Sequence, residues 1–138
     1  MASDSLDTCV VVSLVLGEPM SQRDAAWEFL ESGDMHHIAD LTISEAVYVL
    51  EYHYKQTREQ ITDEFNNFFS VHNDALNYNR SLFNLVFPYY VSHPSLSFND
   101  CCLAFYAELS HAEPLFTFDK KLAKQHPTAK LLHQAKTL

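Results

Sequence analysis

Short strand-like segments alternate with amphipathic helical ones along most of this 138-residue chain. That alternation predicts an α/β fold, a parallel sheet with helices on both faces. A first strand is expected to end at residues 5–7, and others to occupy residues 36–39, 75–78 and 115–118. Two helices stand out between them. Over residues 42–54, Ile43, Val47, Leu50 and Tyr54 recur at spacings of four, three and four, one stripe of a 3.6-residue period. Over residues 57–70 the stripe is Ile61, Phe65 and Phe68, opened by a Thr57-x-x-Gln60 capping-box pattern. Residues 21–31 predict a helix with Ala26, Phe29 and Leu30 inward. Residues 97–110 predict another, with Phe98, Cys101, Phe105 and Leu109 on one face. Residues 80–91 read as helical in spite of Pro88, and a short helix starts near Asp119. Residues 9–16 fit two states: their valines favour a strand, and their apolar run suits a buried helix equally. Gly17 and Pro19 then break the chain.

The length suits one domain over residues 1–138, with a core of about 5–125 and a basic tail over 120–138. Gly17 and Gly33 are the only glycines, which excludes a Gly-rich phosphate loop or a dinucleotide fingerprint. Cys9, Cys101 and Cys102 form no CxxC, which argues against structural zinc and for a reducing compartment. The apolar run at 9–16 is too short to cross a bilayer. The first residues lack the basic start of a signal peptide. A cytoplasmic protein with no membrane partner is expected. The net charge is −9: all 18 acidic residues lie at or before Asp119 with four basic ones, and five lysines follow. An acidic body does not suit sequence-independent polyanion binding. The basic tail reads chiefly as a solvated helix face.

Four acids occupy one kind of position. Asp7 follows the first strand, Glu45 and Asp100 fall in the first turns of helices, and Asp119 joins the last strand to a helix. Singly, each is accounted for by capping. Thr42-x-x-Glu45 and Ser97-x-x-Asp100 match the capping-box pattern, Asp7 and Asp119 suit N-caps, and the helix dipole favours an acid there. Together they imply more. In open α/β sheets, sites form at the carboxyl ends of the strands, where helix N-termini gather. Carboxylates meeting there repel unless a cation joins them. At 100° per residue, Glu45 and Asp100 lie about 160° to 200° from their helices' apolar stripes. Asp100 shares its face with Ala104 and Ala107, small residues that admit a close neighbour. Oxygen donors of this kind suit Mg²⁺ or Mn²⁺ rather than zinc. The common use of such a cluster is phosphodiester hydrolysis. On this reading Asp7, Glu45, Asp100 and Asp119 are both catalytic and metal-ligating.

Four segments then fall into a familiar order. They are Asp7-Thr8-Cys9-Val10, Ile43-Ser44-Glu45-Ala46-Val47-Tyr48-Val49-Leu50-Glu51, Phe98-Asn99-Asp100-Cys101-Cys102-Leu103-Ala104 and Thr117-Phe118-Asp119-Lys120-Lys121-Leu122. In order and spacing the chain resembles a PIN-domain nuclease from about Asp7 to Lys124. In size it is similar to the VapC-type toxins of prokaryotic toxin–antitoxin pairs. The resemblance implies a three-layer α/β/α sandwich with a central parallel sheet of about five strands, and it makes residues 9–16 a helix. It also implies Mg²⁺- or Mn²⁺-dependent endoribonuclease activity leaving 5′-phosphate and 3′-hydroxyl ends. Asp7, Glu45, Asp100 and Asp119 would then be metal ligands or water-activating acids, with Thr117 a hydroxyl supporting them. A homodimer and a cognate antitoxin, its tail over the active-site groove, are implied as partners beside the RNA. Cys9 departs from the pattern, standing where Asn is usual behind the first acid; a thiol is a poorer hydrogen-bond donor than an amide.

A second reading is a catalytically silent PIN-like module that binds protein or RNA. Cys9 and the acidic body favour it; retention of four mutually repelling acids speaks against it. A third, a phosphoacceptor or phosphatase-type domain, needs an Asp-x-Asp near the first strand, which Asp7-Thr8-Cys9 lacks. Of the eight histidines, the adjacent His36 and His37 should point to opposite faces of a strand. Trp27, Phe65, Phe68 and Phe69 are expected in the core or an interface, and Tyr89–Tyr90 at a partner surface.

Overall fold

Residues 9–16, which suit strand and helix equally, fold as a helix. In the computed structural model, which describes residues 4–133, α1 spans Thr8–Leu16. The Asp7 carboxylate caps it by accepting from the Thr8 N–H at 2.6 Å. Gly17 closes it at φ +78°, donating its N–H to the Ser13 carbonyl at 2.9 Å. Val11, Val12, Ser13 and Leu14 are all buried. Burial on successive residues matches a helix packed on several sides. Strand propensity, which mostly measures packing context, yields to it.

The chain divides into two compact units, Met1–Asn79 and Arg80–Leu138. In the first, β1 (Asp4–Ser5) pairs in parallel with β2 (His36–His37), and β2 with β3 (Leu76–Asn77), in the order β1-β2-β3. Around this sheet run α1, α2 (Met20–Leu30), α3 (Asp40–Tyr48) and α4 (Arg58–Val71). A π-helical turn over Val49–His53 continues α3, and a short 3₁₀ turn, Asn73–Ala75, leads into β3. The core includes Ile43, Val47 and Leu50 of the predicted stripe, each fully buried, together with the buried Ile61, Phe65 and Phe68 of α4.

The second unit holds α5 (Arg80–Ser92, with Pro88 inside), α6 (Phe98–Leu109), β4 (Leu115–Thr117), α7 (Lys120–Gln125) and β5 (Ala129–Leu131). Strands β4 and β5 pair in parallel. Phe98 of α6 packs on Phe83, Phe87 and Tyr90 of α5, with ring centroids 5.0–6.1 Å apart. All the pairings are parallel, as the β/α alternation predicts. In place of one sheet of about five strands, the described residues form a three-stranded and a two-stranded sheet.

Several local expectations are corrected. Helix α3 starts at Asp40, and its N-cap, Ala39, makes no side-chain cap bond. Thr42-x-x-Glu45 is therefore not a capping box; Glu45 is the sixth residue of α3. The early start is favoured by Asp40, an acid in the first turn, whose Oδ2 accepts from Asn79 Nδ2 at 3.2 Å. Tyr54 caps the end of the π-helical turn and stays 41% exposed. Phe29 is 46% exposed, its ring laid against His36 at 4.7 Å, because α2 buries only Ala26 and Leu30. Leu109, the last residue of α6, is exposed. Tyr90 is fully buried in the core of its unit, and Tyr89 donates its hydroxyl to the Gln125 carbonyl. Tyr90 therefore forms no outward surface, while Tyr89 stays half-buried. Strand β5 lies within the stretch read as a basic tail, with Ala129 buried and Lys130 exposed; Lys136 and the end of that tail lie outside the described residues. Phe65, Phe68 and Phe69 are buried as expected, and His36 is buried while its neighbour His37 is exposed. No helix among the described residues is long and apolar enough to cross a membrane.

Candidate functional site

Each of the four acids is held by its own stretch of backbone. In the first unit, Asp7 is the N-cap of α1 and commits its Oδ1 to the Thr8 N–H. Glu45 projects from the exposed side of α3, between the buried Ile43 and the buried Ala46 and Val47. Its Oε2 accepts the Thr8 hydroxyl at 2.7 Å. Thr8 thus links the two acids, through its backbone to Asp7 and through its side chain to Glu45.

In the second unit, Asp100 completes a full capping box. Its Oδ2 accepts from the Ser97 N–H at 3.1 Å, while the Ser97 hydroxyl accepts from the Asp100 N–H at 3.0 Å. Asp119 caps α7, its Oδ1 accepting from the N–H groups of Lys121 and Leu122 at 2.8 and 3.2 Å. Thr117, at the end of β4, accepts the Asp119 N–H on its hydroxyl at 3.0 Å. That bond shapes the turn that leads into Asp119. Cys9 offers much less: its Sγ lies 4.0 Å from the Asp7 Oδ2.

One pattern is common to all four carboxylates. Each commits one oxygen to a hydrogen bond of 2.6–3.2 Å. The other, Oδ2 of Asp7 and Asp119, Oε1 of Glu45 and Oδ1 of Asp100, makes no hydrogen bond among the described residues except for the distant Cys9 thiol. None of the four pairs with Lys, Arg or His among the described residues. Carboxylate oxygens of fixed direction with no cation beside them are the donors that Mg²⁺ or Mn²⁺ takes, so the chemistry of the set fits such an ion. Each unit by itself supplies two of these carboxylates. Among the described residues no three His, Cys, Asp or Glu side chains group closely enough to hold a metal ion.

The capping explanation holds for Asp7, Asp100 and Asp119 and fails for Glu45. No helix start needs a carboxylate at the sixth residue, so its bond to Thr8 must be explained otherwise. Thr8 is the functional candidate that motif reading passed over. It stands inside Asp7-Thr8-Cys9-Val10, but its partner is 37 residues away, and no spacing rule reaches that far.

The profile of a known family, described as PIN domain, matches residues 5–126. No curated protein matches the chain.

Proposed function

The chain belongs to the PIN domain family, whose members are usually nucleases, and on that premise we propose that it is a Mg²⁺- or Mn²⁺-dependent endoribonuclease, the toxin of a toxin–antitoxin pair. The observation that carries the reading is the shared state of Asp7, Glu45, Asp100 and Asp119. Each has one oxygen anchored, one uncommitted, and no cationic partner among the described residues. An uncommitted oxygen of fixed direction is what a hard cation takes from each ligand.

The proposal requires the four acids to act together on one cation. They would hold the cation, which when bound neutralises phosphodiester charge and activates water. The protein's own part is to fix directions. Thr8 occupies one oxygen of Glu45 and so aims the other. The helix starts at Asp7, Asp100 and Asp119 do the same through backbone N–H groups, on rigid elements rather than loops. The working form is taken as a cytoplasmic homodimer restrained by a cognate antitoxin.

The test compares wild type with Asp100→Asn on total RNA, with Mg²⁺ or Mn²⁺ and with EDTA. The Asn side-chain oxygen can still accept from the Ser97 N–H, so the cap of α6 survives while the charge is lost. Cleavage by the wild type that needs metal and disappears in the variant is expected. Absence of metal-dependent cleavage by the wild type overturns the reading.

The caps at Asp100 and Asp119 favour a second reading, a silent PIN-like binding module, because capping alone accounts for both. The two readings differ over Mn²⁺. A filled site raises the melting temperature by mass action; a set of caps leaves it unchanged.

A further inference from the structure

We infer that a cleft beside Asp7 in the first unit is a base-binding subsite, where an unpaired nucleobase of the RNA substrate stacks on Tyr48 and Tyr54. The inference rests on the nuclease reading above. The cleft encloses about 680 Å³, and its lining includes Asp7, Thr8, Gln22, Tyr48, His53 and Tyr54. That volume lies in the range of small-molecule sites, roughly 300–1,000 Å³, and accommodates a nucleoside.

The fold sets the rings in place. Tyr48 ends α3 and Tyr54 caps the π-helical turn that follows, its N–H bonded to the Val49 carbonyl at 3.1 Å. Such turns often mark functional sites. Tyr48 is 64% exposed, so its ring is open to a ligand. It leans on Tyr52 at 4.7 Å, and Tyr54 meets His53 edge-on at 4.9 Å. Each ring is thus supported before any ligand arrives, which lowers the ordering cost of binding. Neither phenol has a hydrogen bond within the described residues. Gln22 commits its Oε1 to the Ser13 hydroxyl at 3.2 Å, leaving its NH₂ for a base edge.

Charge decides which part of an RNA enters. No lysine or arginine lines the cleft, and Asp7 does, so a backbone phosphate is disfavoured and a neutral aromatic base is not. Asp7 belongs both to this cleft and to the proposed catalytic set, and Thr8, also in the lining, holds one oxygen of Glu45. A base seated here is therefore tethered to a phosphodiester within that set's neighbourhood. Stacking on an aromatic face requires an unpaired base, so single-stranded RNA is the substrate form selected.

The test uses the full chain and a fluorescent hexauridylate in EDTA, so that binding is read without metal-supported cleavage. Wild type, Tyr48→Ala, Tyr54→Ala and Tyr48→Phe are compared, with circular dichroism to check folding. Each alanine variant is expected to bind about 5- to 150-fold more weakly, the range of base–aromatic stacking, and Tyr48→Phe about as well as wild type. Addition of uridylate should also move the Tyr48 and Tyr54 ring resonances of the wild type upfield. Absence of binding by the wild type, alanine variants that bind as tightly as it does, or an equal loss in Tyr48→Phe overturns the proposal. Cleavage is measured separately in Mg²⁺. Ring-dependent binding without cleavage refutes the nuclease and keeps the subsite; cleavage with alanine variants unchanged in binding refutes the subsite and keeps the nuclease.

Discussion

Thr8→Val removes one hydroxyl at nearly constant shape and so isolates the bond between Thr8 Oγ1 and Glu45 Oε2, 2.7 Å long and 37 residues apart in sequence. A hydrogen bond to a charged group contributes about 1.5–3 kcal/mol when well buried. Here Glu45 is exposed and Thr8 half-buried, so water replaces the hydroxyl and the expected stability loss is only about 0.5–1 kcal/mol. For a chain of this size that lowers the melting temperature by roughly 2–4 °C. The effect on metal binding should be far larger. Loss of a group that orients a ligand typically costs about 10- to 100-fold in metal affinity, because the freed Glu45 carboxylate must be ordered again on binding. Calorimetric Mn²⁺ titration of wild type, Thr8→Val and Thr8→Ser, with melting curves in EDTA, reads both quantities. Serine should recover the Mn²⁺ affinity. If Thr8→Val binds Mn²⁺ as tightly as the wild type, Thr8 does not orient Glu45 and the reasoning fails.

Three further outcomes are expected. Ser97→Ala should cost about 1 kcal/mol, since it removes the hydroxyl that accepts from the Asp100 N–H; urea denaturation checks this. Cys9→Asn should strengthen Mn²⁺ binding several-fold, because an amide can donate where the thiol stands 4.0 Å from the Asp7 Oδ2; an unchanged titration would show that residue 9 does not support Asp7. Burial holds the His126 pKa below the ordinary value, opposed by Glu108 and helped by His93, and the Thr128 N–H bonded to its Nδ1 also favours the neutral ring. Burial lowers the His72 pKa likewise, against a raising influence of Glu31. Both rings therefore stay neutral in the folded state while the unfolded chain takes up protons. Their contribution to stability is full above about pH 6.5 and is lost as pH falls through the lower folded values. Urea midpoints measured from pH 7.5 downward should fall, and less steeply in His126→Gln. Glu64 acts in the opposite sense, its pKa raised by burial against the bond from Gln56, so acidification relieves a cost there.

The sequence by itself determined what depends on neighbours within one or two helical turns. The stripe of Ile43, Val47 and Leu50, the capping boxes at Thr57 and Ser97, the N-caps at Asp7 and Asp119 and the break at Gly17 are all local, and all are formed. Asp7, Asp100 and Asp119 stand at helix starts that local rules detect, whereas Glu45 stands well inside α3, where the capping pattern read from Thr42 is not formed. Tertiary structure decided the rest. Burial on several sides turned residues 9–16 into a helix against the preference of their valines. Pairing with β4 made a strand of Ala129–Leu131 inside a lysine-rich segment. The α5–α6 core drew Tyr90 inward. The bond from Thr8 to Glu45, which distinguishes Glu45 from a helix cap, joins residues on two different helices. Such features follow from which surfaces meet across long stretches of chain. Periodicity and capping report only the few residues on either side, so they carry no record of those meetings.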